Sequence, residues 1–203
     1  MLTLAYRYPS YYNIQYVEQG VPEIRGELLG PNGDIEANMS MLRFISRETS
    51  DRFPKTQLEP GDIVMSVRGT MGKIGLVPLW LAGANITANL IRLALQRGKV
   101  LPEFLKRTLL SRSFLRRLDE LSPQTTIKTI QAPVLRSIPI PLPPLSEQRE
   151  MAAQLAAVDA KLETEERRRD ALEVLFKSLL HHLMTGKLRV KDLAVPGLEW
   201  KNS

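Results

Sequence analysis

Residues 69–75, GTMGKIG, come nearest in residue type to a nucleotide-binding motif. A phosphate-binding loop needs four residues between its first glycine and the Gly-Lys pair, which Ser or Thr then follows. Here only Thr70 and Met71 separate the glycines, and Ile74 follows Lys73. The spacing excludes a phosphate-binding loop and predicts a glycine-rich turn between two strands.

Other residue types that could do chemistry are also unfavourably placed. The chain has no cysteine, which excludes disulfides, thiolate metal sites and cysteine nucleophiles. His181 and His182 are neighbours on a predicted helix and point about 100° apart, which makes a poor metal pair. Leu142 and Leu145 flank two prolines where an adenine methyltransferase box has polar and aromatic residues. We interpret Asp62 as a turn residue, and we expect a non-catalytic chain with no metal.

The basic charge is concentrated in the first part of the chain. Residues 1–145 contain 18 Lys and Arg against 12 Asp and Glu, whereas residues 146–203 contain ten of each. The whole net charge of +6 therefore lies in the first part, which favours a polyanionic partner. A basic surface without such a partner stays open on charge alone. Because no apolar run approaches the roughly 18 residues of a membrane span and no signal peptide opens the chain, we expect a cytoplasmic protein.

The first hundred residues predict mainly strands. Apolar runs at residues 61–67 and 89–95 have strand length and are bounded by turn signals. Residues 102–121 then place apolar side chains at helical spacing, and residues 122–130 form a polar loop. We predict an α+β fold for residues 1–145.

A proline-rich segment is followed by a long helix. Residues 135–144, LRSIPIPLPP, predict an edge strand or surface strap, because alternating prolines fix φ and remove donors. Residues 145–185 then contain neither Gly nor Pro, with Ser146 as a predicted N-cap and Gly186 as the predicted stop. The predicted parts are the α+β domain at 1–145, a coiled-coil helix at 146–186 and a tail at 187–203.

The helix carries a seam whose spacing alternates between three and four residues, as in a coiled coil. A parallel pair would place Glu165 against Glu165 and Arg169 against Arg169, both repulsive. An antiparallel pair centred near residue 167 places Glu165 against Arg169 and matches the apolar positions, so we predict antiparallel pairing. A seam that packs on another protein or on its own domain remains the alternative. The predicted interface residues are Leu155, Val158, Leu162, Glu165, Arg169, Leu172, Phe176, Leu179 and Leu183.

Five segments resemble segments of one known family in the same order along the chain, and the resemblance covers roughly residues 14–191. They are VPEIRGELLGPNGDI, LEPGDIVMSVRGTMGKIGLVP, VLPEFLKRTLLSRSF, IPIPLPPLSEQREMAAQLAAVDAKL and LLHHLMTGKLRV. With these segments the chain resembles half of a type I restriction–modification DNA specificity subunit. The junction of prolines followed by a heptad helix is the most specific part of the resemblance.

The resemblance implies a target recognition domain joined to a conserved spacer helix. A full subunit holds two such units with antiparallel spacer helices, and each domain reads one half of a split sequence on double-stranded DNA. One unit alone implies a homodimer that reads a symmetric site. The implied partners are methylation subunits, which bring S-adenosylmethionine, and restriction subunits, which use ATP and Mg, so the chain itself needs no cofactor.

The chain departs from the family pattern, because family recognition domains usually open with another segment and we expect this chain to start inside the domain. We therefore keep two alternatives, which are an inactive or recombination-donor fragment and a coiled-coil adaptor that reads no DNA. The target sequence and the spacer length do not follow from the residues.

The candidate DNA-binding residues combine phosphate anchors with side chains that can reach base edges. The five tyrosines, all within the first sixteen residues, are interpreted as strand packing in preference to base stacking. The candidates are Arg68, Thr70 and Lys73 on the hairpin, Gln124, Thr125, Thr126 and Lys128 on the polar loop, the weaker Asn32 and Arg43, and Lys106, Arg107, Arg112, Arg116 and Arg117 for phosphates or a solvated helix face.

Overall fold

The computed structural model describes residues 14–122 and 129–189, and the backbone of one strand at residues 3–7. The strands are β1 (Thr3–Arg7), β2 (Tyr16–Val17), β3 (Val21–Ile24), β4 (Arg43–Ile45), β5 (Ile63–Ser66), β6 (Ile74–Leu76), β7 (Asn85–Ile86) and β8 (Leu90–Leu95). The helices are α1 (Arg47–Asp51), α2 (Pro102–Leu110), α3 (Arg112–Glu120), α4 (Ala132–Ser137) and α5 (Leu145–Met184).

Within the described residues, the strands form two sheets of four strands each. The first sheet has the order β1-β8-β5-β6 and is antiparallel throughout. The second has the order β2-β4-β3-β7, in which β3 pairs antiparallel with β4 and parallel with β7. This register places Glu23 opposite both Arg43 and Asn85. The predicted strands at 61–67 and 89–95 are β5 and β8.

The first sheet separates two cores because its side chains alternate between faces. On one face, Ile63 and Met65 belong to a core that α2, α3 and α4 complete. On the other face, Val64 packs with Ile24 and Ile86 of the second sheet. The domain therefore has three layers, which are helices, the first sheet and the second sheet, and the α+β prediction is confirmed.

The single helical pattern predicted at residues 102–121 is wrong, because two helices meet at Ser111. The backbone N–H of Ser111 donates to the carbonyl oxygen of Thr108 at 3.2 Å and ends α2. Its hydroxyl oxygen then accepts from the N–H of Phe114 at 3.3 Å and caps α3. A serine hydroxyl satisfies a free donor at a helix N-terminus, so this residue favours a break over a continuous helix.

The extended segment predicted at 135–144 begins later than expected. Residues 135–137 belong to α4, whose first turn contains Pro133, a position where the fixed φ of proline suits a helix. Residues 138–144, called here the proline strap, follow outside both sheets, so the edge-strand alternative is not observed there. Ile138 is buried in the first core and Ile140 packs against it.

Helix α5 begins at Leu145, one residue before the predicted start, and runs for 40 residues, which is about 60 Å. It ends at the predicted stop, since Gly186 has φ +70° and its N–H donates to the carbonyl oxygen of Leu183 at 3.2 Å. The chain divides into two compact units, Met1–Ala152 and Ala153–Ser203, so the boundary lies inside α5. Among the described residues, no helix has the length and apolarity to cross a membrane.

Asp62 forms its predicted turn and also a buried ion pair with β8. Its Oδ2 accepts from the N–H of Glu59 at 2.9 Å and from Nε of Arg92 at 2.6 Å. The Arg92 side chain is 8% exposed, and it also donates to the carbonyl oxygen of Lys55 and to the Glu59 carboxylate. The pair holds the turn before β5 against the neighbouring strand β8.

We expect Asp62→Ala to lower the free energy of unfolding by roughly 3–5 kcal/mol, because it leaves the Arg92 guanidinium buried with less compensation. Glu59→Ala is the matched control, since Glu59 pairs with the same arginine but is 67% exposed, and its loss should stay below about 1 kcal/mol. Urea denaturation of both variants measures the difference. Equal losses would contradict a dominant role for the buried pair.

Candidate nucleic-acid interface

The hairpin loop, residues 67–73 between β5 and β6, is held in shape by Ser66. The Ser66 hydroxyl donates to the carbonyl oxygen of Thr70 at 2.6 Å and accepts from the N–H of Lys73 at 3.0 Å. Gly69 and Gly72 have φ of +77° and +80°, a region that L side chains rarely adopt. The backbone of the loop is therefore fixed internally, and the predicted residues Arg68, Thr70 and Lys73 are exposed on it.

The hairpin loop lies directly on α3. A Cβ at Gly72 would come within 2.9 Å of Leu115 Cδ2 and 3.2 Å of Leu118 Cδ2, so only glycine allows this approach. The loop is thereby adjacent to the helix that carries the predicted phosphate anchors Arg112, Arg116 and Arg117, all of them exposed.

The described ends of the polar loop also contact the hairpin loop. The Ser122 hydroxyl donates to Met71 Sδ at 3.7 Å, and the Ile130 N–H donates to the carbonyl oxygen of Val67 at 3.0 Å. An antiparallel bridge joins Arg68 to Thr129. Both ends of the polar loop are therefore attached to the hairpin loop. The predicted residues Gln124, Thr125, Thr126 and Lys128 lie outside the described residues.

Two charged residues of α3 are paired within the helix. Arg116 Nε lies 3.7 Å from Glu120 Oε1, and Arg117 Nη1 lies 3.1 Å from Glu120 Oε2. Exposed pairs of this kind contribute only about 0.5 kcal/mol, so a phosphate can replace the glutamate. Beside these arginines, an open groove of about 630 Å³ separates α3 from the proline strap, whose Ile138 and Ile140 line it.

Asn32 lies in a turn that Lys106 of α2 contacts through Asp34. Lys106 Nζ lies 2.6 Å from Asp34 Oδ1, and the lysine side chain is only 11% exposed. The carbonyl oxygen of Gly33 accepts from the N–H of Leu76 at 2.9 Å, which attaches the turn to β6. Asn32 is exposed at this turn and Arg107 is half-buried on α2. Lys106 therefore has an internal partner, which favours a structural role for it.

The structure places Arg43 apart from the loops, on β4 of the second sheet. Its guanidinium carbon lies 5.8 Å from the centre of the Tyr16 ring, within cation–π range. Tyr16 is 51% exposed and donates from its hydroxyl to Glu23 Oε2 at 3.1 Å. The Tyr16 side chain therefore contacts Glu23 and Arg43 on the second sheet and is half exposed to solvent.

Glu23 is a notable residue that the sequence reasoning missed. It is 1% exposed, and its Oε1 has no hydrogen-bond partner within the part of the chain that the structure describes, as is also true of Arg25 Nε. Burial raises the pKa of Glu23, while the Tyr16 hydroxyl and the Arg25 and Arg43 guanidinium groups lower it in part. The only indication in the sequence was a glutamate beside an isoleucine within a short strand, VPEI.

Comparison with known proteins places these elements in one family. A family model described as the type I restriction modification DNA specificity domain matches residues 9–174. The MjaVIII specificity subunit of Methanocaldococcus jannaschii is 32% identical over 156 residues, which cover 75% of this chain and 37% of that subunit. The EcoBI specificity subunit of Escherichia coli is 27% identical over 122 residues, covering 60% of this chain and 26% of that one.

Solved structures share the fold. A chain from a structure that concerns complex assembly and conformational transition of the type I R-M system has a TM-score of 0.65 at 22% identity, covering 95% of this chain and 44% of that chain. The HsdS subunit from Thermoanaerobacter tengcongensis has a TM-score of 0.64 at 17% identity, covering 92% and 49%. This chain therefore spans less than half the length of these relatives.

We expect Glu23→Gln to change the pH dependence of stability. The folded pKa of Glu23 is raised above its unfolded value of about 4.3. The contribution of Glu23 to the free energy of unfolding is therefore fully present below the unfolded pKa and is lost as the pH rises through the folded pKa. The glutamine variant should therefore gain stability relative to wild type as the pH rises from about 4 towards neutrality. Urea denaturation at a series of pH values measures this.

Tyr16→Phe is the complementary variant, because it removes a hydroxyl that stabilises the charged form of Glu23. It should raise the pKa of Glu23 further and extend the loss of stability to higher pH. Parallel pH profiles for wild type and both variants would show that Glu23 has the same pKa in the folded and unfolded states, and they would contradict the raised pKa.

Proposed function

Since the chain belongs to the type I restriction–modification DNA specificity family, we propose that it reads one half of a split DNA site and positions the catalytic subunits there. It acts in this proposal as a non-catalytic subunit in the cytoplasm. The observation that carries the proposal is the meeting of the hairpin loop, α3 and both ends of the polar loop in one part of the domain. The hairpin loop, α3 and the described ends of the polar loop thus lie next to one another.

The charges on this surface suit a phosphate backbone. Arg68, Lys73 and Arg112 are exposed, and the two arginines paired to Glu120 are available by exchange. Arginine and lysine contacts to phosphates supply affinity and fix the position of a protein on the duplex. We assign α3 and the base of the hairpin loop to this role.

Base reading requires donors and acceptors on a rigid support. Arg68 presents a fork of donors that matches guanine in the major groove, and Thr70 supplies a hydroxyl. The Ser66 bonds and the two left-handed glycines hold the backbone between them. We propose that Arg68, Thr70 and the adjoining polar loop read bases, while the neighbouring cations bind phosphates.

A second copy of the chain completes the proposed reader. In the single chain, apolar seam residues of α5 are exposed by 44% at Leu155, 57% at Leu162, 57% at Leu172 and 63% at Phe176. Helices of this kind are stabilised mainly by packing of their apolar face, so the seam requires a partner. The antiparallel match of Glu165 with Arg169 makes a second copy the occupant we propose.

Within one chain the two charged seam residues have other neighbours. Arg169 Nη2 lies 2.8 Å from Asp170 Oδ1, and Glu165 Oε2 lies 3.9 Å from Arg168 Nη1. The Asp170 carboxylate raises the pKa of Arg169, so this residue stays charged at any physiological pH. Exposed pairs are weak and exchange readily, which leaves Glu165 and Arg169 available to a facing helix.

The proposed dimer would serve as a platform for other subunits. Methylation subunits would bring S-adenosylmethionine and the adenine-methylating site, and restriction subunits would bring ATP and Mg-dependent cleavage. Neither activity requires a cofactor on this chain. Two identical copies related by a two-fold axis would read a symmetric split sequence.

The charge registry makes a direct prediction about dimerisation. Glu165→Arg should weaken the dimer about tenfold in Kd, because two attractive pairs become repulsive at an exposed seam. The double exchange Glu165→Arg with Arg169→Glu restores both pairs and should dimerise like the wild type. Sedimentation equilibrium measures this, and equal pairing of the single and double variants would rule out the antiparallel registry.

Co-expression with a type I methylation subunit tests the function itself. We expect methylated adenines in the host genome to define one symmetric split sequence, since both halves are read by the same domain. An inactive fragment or a coiled-coil adaptor would leave no methylated sequence.

A duplex carrying the mapped sequence then tests the interface. Arg68→Ala and Lys73→Ala should each weaken binding, and a variant that loses a phosphate contact should lower the slope of log K against log salt by about 1. Arg97→Ala is the control, because Arg97 is an exposed cation outside the proposed surface that bonds to the carbonyl oxygen of Pro60. Fluorescence anisotropy that gave the same loss for all three variants would contradict the assignment.

A further inference from the structure

The start of α5 is held by one buried side chain, Gln148. This residue is 0% exposed, although the helix residues on either side of it are exposed. Its Oε1 accepts from the N–H of Leu101 at 2.9 Å. Its Nε2 donates to the carbonyl oxygen of Lys99 at 3.0 Å and to that of Pro143 at 2.8 Å. Both amide protons and the amide oxygen are therefore used.

These three bonds join different parts of the recognition domain. Lys99 lies in the turn after β8, Leu101 is the N-cap of α2, and Pro143 belongs to the proline strap. The N-cap of α2 has no side-chain cap of its own, so Gln148 satisfies a backbone donor at that helix end. A single residue thus attaches the first turn of α5 to the core sheet, to the helical layer and to the strap.

We propose that Gln148 is the positioning residue that fixes the orientation of α5 on the recognition domain and so sets the distance between two half-sites. The inference rests on the function proposed above for its biological meaning. The attachment itself is a property of the chain alone and is independent of DNA and of a second copy.

The required stiffness follows from the length of the helix. The centre of the proposed seam, near residue 167, is 19 residues beyond Gln148, or about 28 Å along the axis. A change of about 10° at the first turn would move that point by about 5 Å, which exceeds the rise of about 3.4 Å per base pair. A domain attached only by the strap would therefore lose discrimination between spacers that differ by one base pair.

Neither glutamate nor asparagine, the two side chains nearest in chemistry, can make all three bonds of the glutamine. Glutamate keeps an acceptor for the Leu101 N–H but brings a second carboxylate oxygen against the carbonyl oxygens of Lys99 and Pro143. Asparagine keeps the amide but is shorter by one methylene, so it cannot reach all three groups. Buried polar groups that lose their hydrogen-bond partners destabilise the folded contact, so either variant should loosen the first turn of the helix.

Spin labels on single introduced cysteines test the inference, because the natural chain has no cysteine. One label replaces exposed Arg47 on α1 and the other replaces exposed Arg167 on α5. Excess unlabelled chain suppresses distances between copies, and the width of the intramolecular distance distribution is measured by pulsed electron resonance. We expect Gln148→Glu to broaden the distribution by about 5 Å relative to the unsubstituted labelled chain, through the same lever arm.

Gln154→Glu is the matched control, since it makes the same chemical change at an exposed position of the same helix. It should leave the distribution unchanged. If Gln148→Glu fails to fold by circular dichroism, Gln148→Asn introduces no buried charge and is measured in its place. An unchanged distribution in a folded Gln148 variant would overturn the inference, whatever the outcome of the DNA experiments.

Discussion

The long helix begins where the chain has the fewest backbone donors. Pro139, Pro141, Pro143 and Pro144 have no N–H, so the proline strap cannot be held by a ladder of main-chain hydrogen bonds. The Gln148 amide supplies the missing donor to Pro143 and joins the same point to Lys99 and Leu101. The strap, the turn after β8 and the start of α2 each contribute one backbone group to this interaction, and the start of α5 contributes the side chain.

On the proposed DNA surface, side chains also hold irregular backbone by hydrogen bonds. The Ser66 hydroxyl holds the backbone of the hairpin loop, and the Ser111 hydroxyl holds the junction between α2 and α3. Short polar side chains therefore stabilise irregular backbone from within, and the exposed cations are not needed for that purpose. Arg68 and Lys73 remain exposed to a partner on a backbone that these internal hydrogen bonds support. A rigid scaffold that presents exposed contact residues suits the DNA-reading role proposed for this domain.

Much of the architecture could be predicted from local patterns, since β5, β8 and the end of α5 all follow from periodicity and glycine placement. The break at Ser111 could not be predicted in this way. The apolar residues continue at helical spacing on both sides of Ser111, so the sequence looks like one helix. The Asp62–Arg92 pair joins residues 30 positions apart, and Glu23 is buried by strand pairing that no local pattern reveals. Contacts set by tertiary structure were the ones missed.

In the proposed dimer, affinity and polarity come from different residues. Leu162 and Leu172 would pack equally well on each other or on their own counterparts, so the apolar positions stabilise parallel and antiparallel pairs alike. Exposed charges contribute little to affinity. The interactions of Glu165 and Arg169 are nevertheless attractive in the antiparallel pair and repulsive in the parallel pair. Specificity is a difference between free energies, and repulsion in the wrong arrangement contributes to it as much as attraction in the right one. Two weak charge pairs at the centre of an apolar seam therefore suffice to favour the antiparallel dimer over the parallel one.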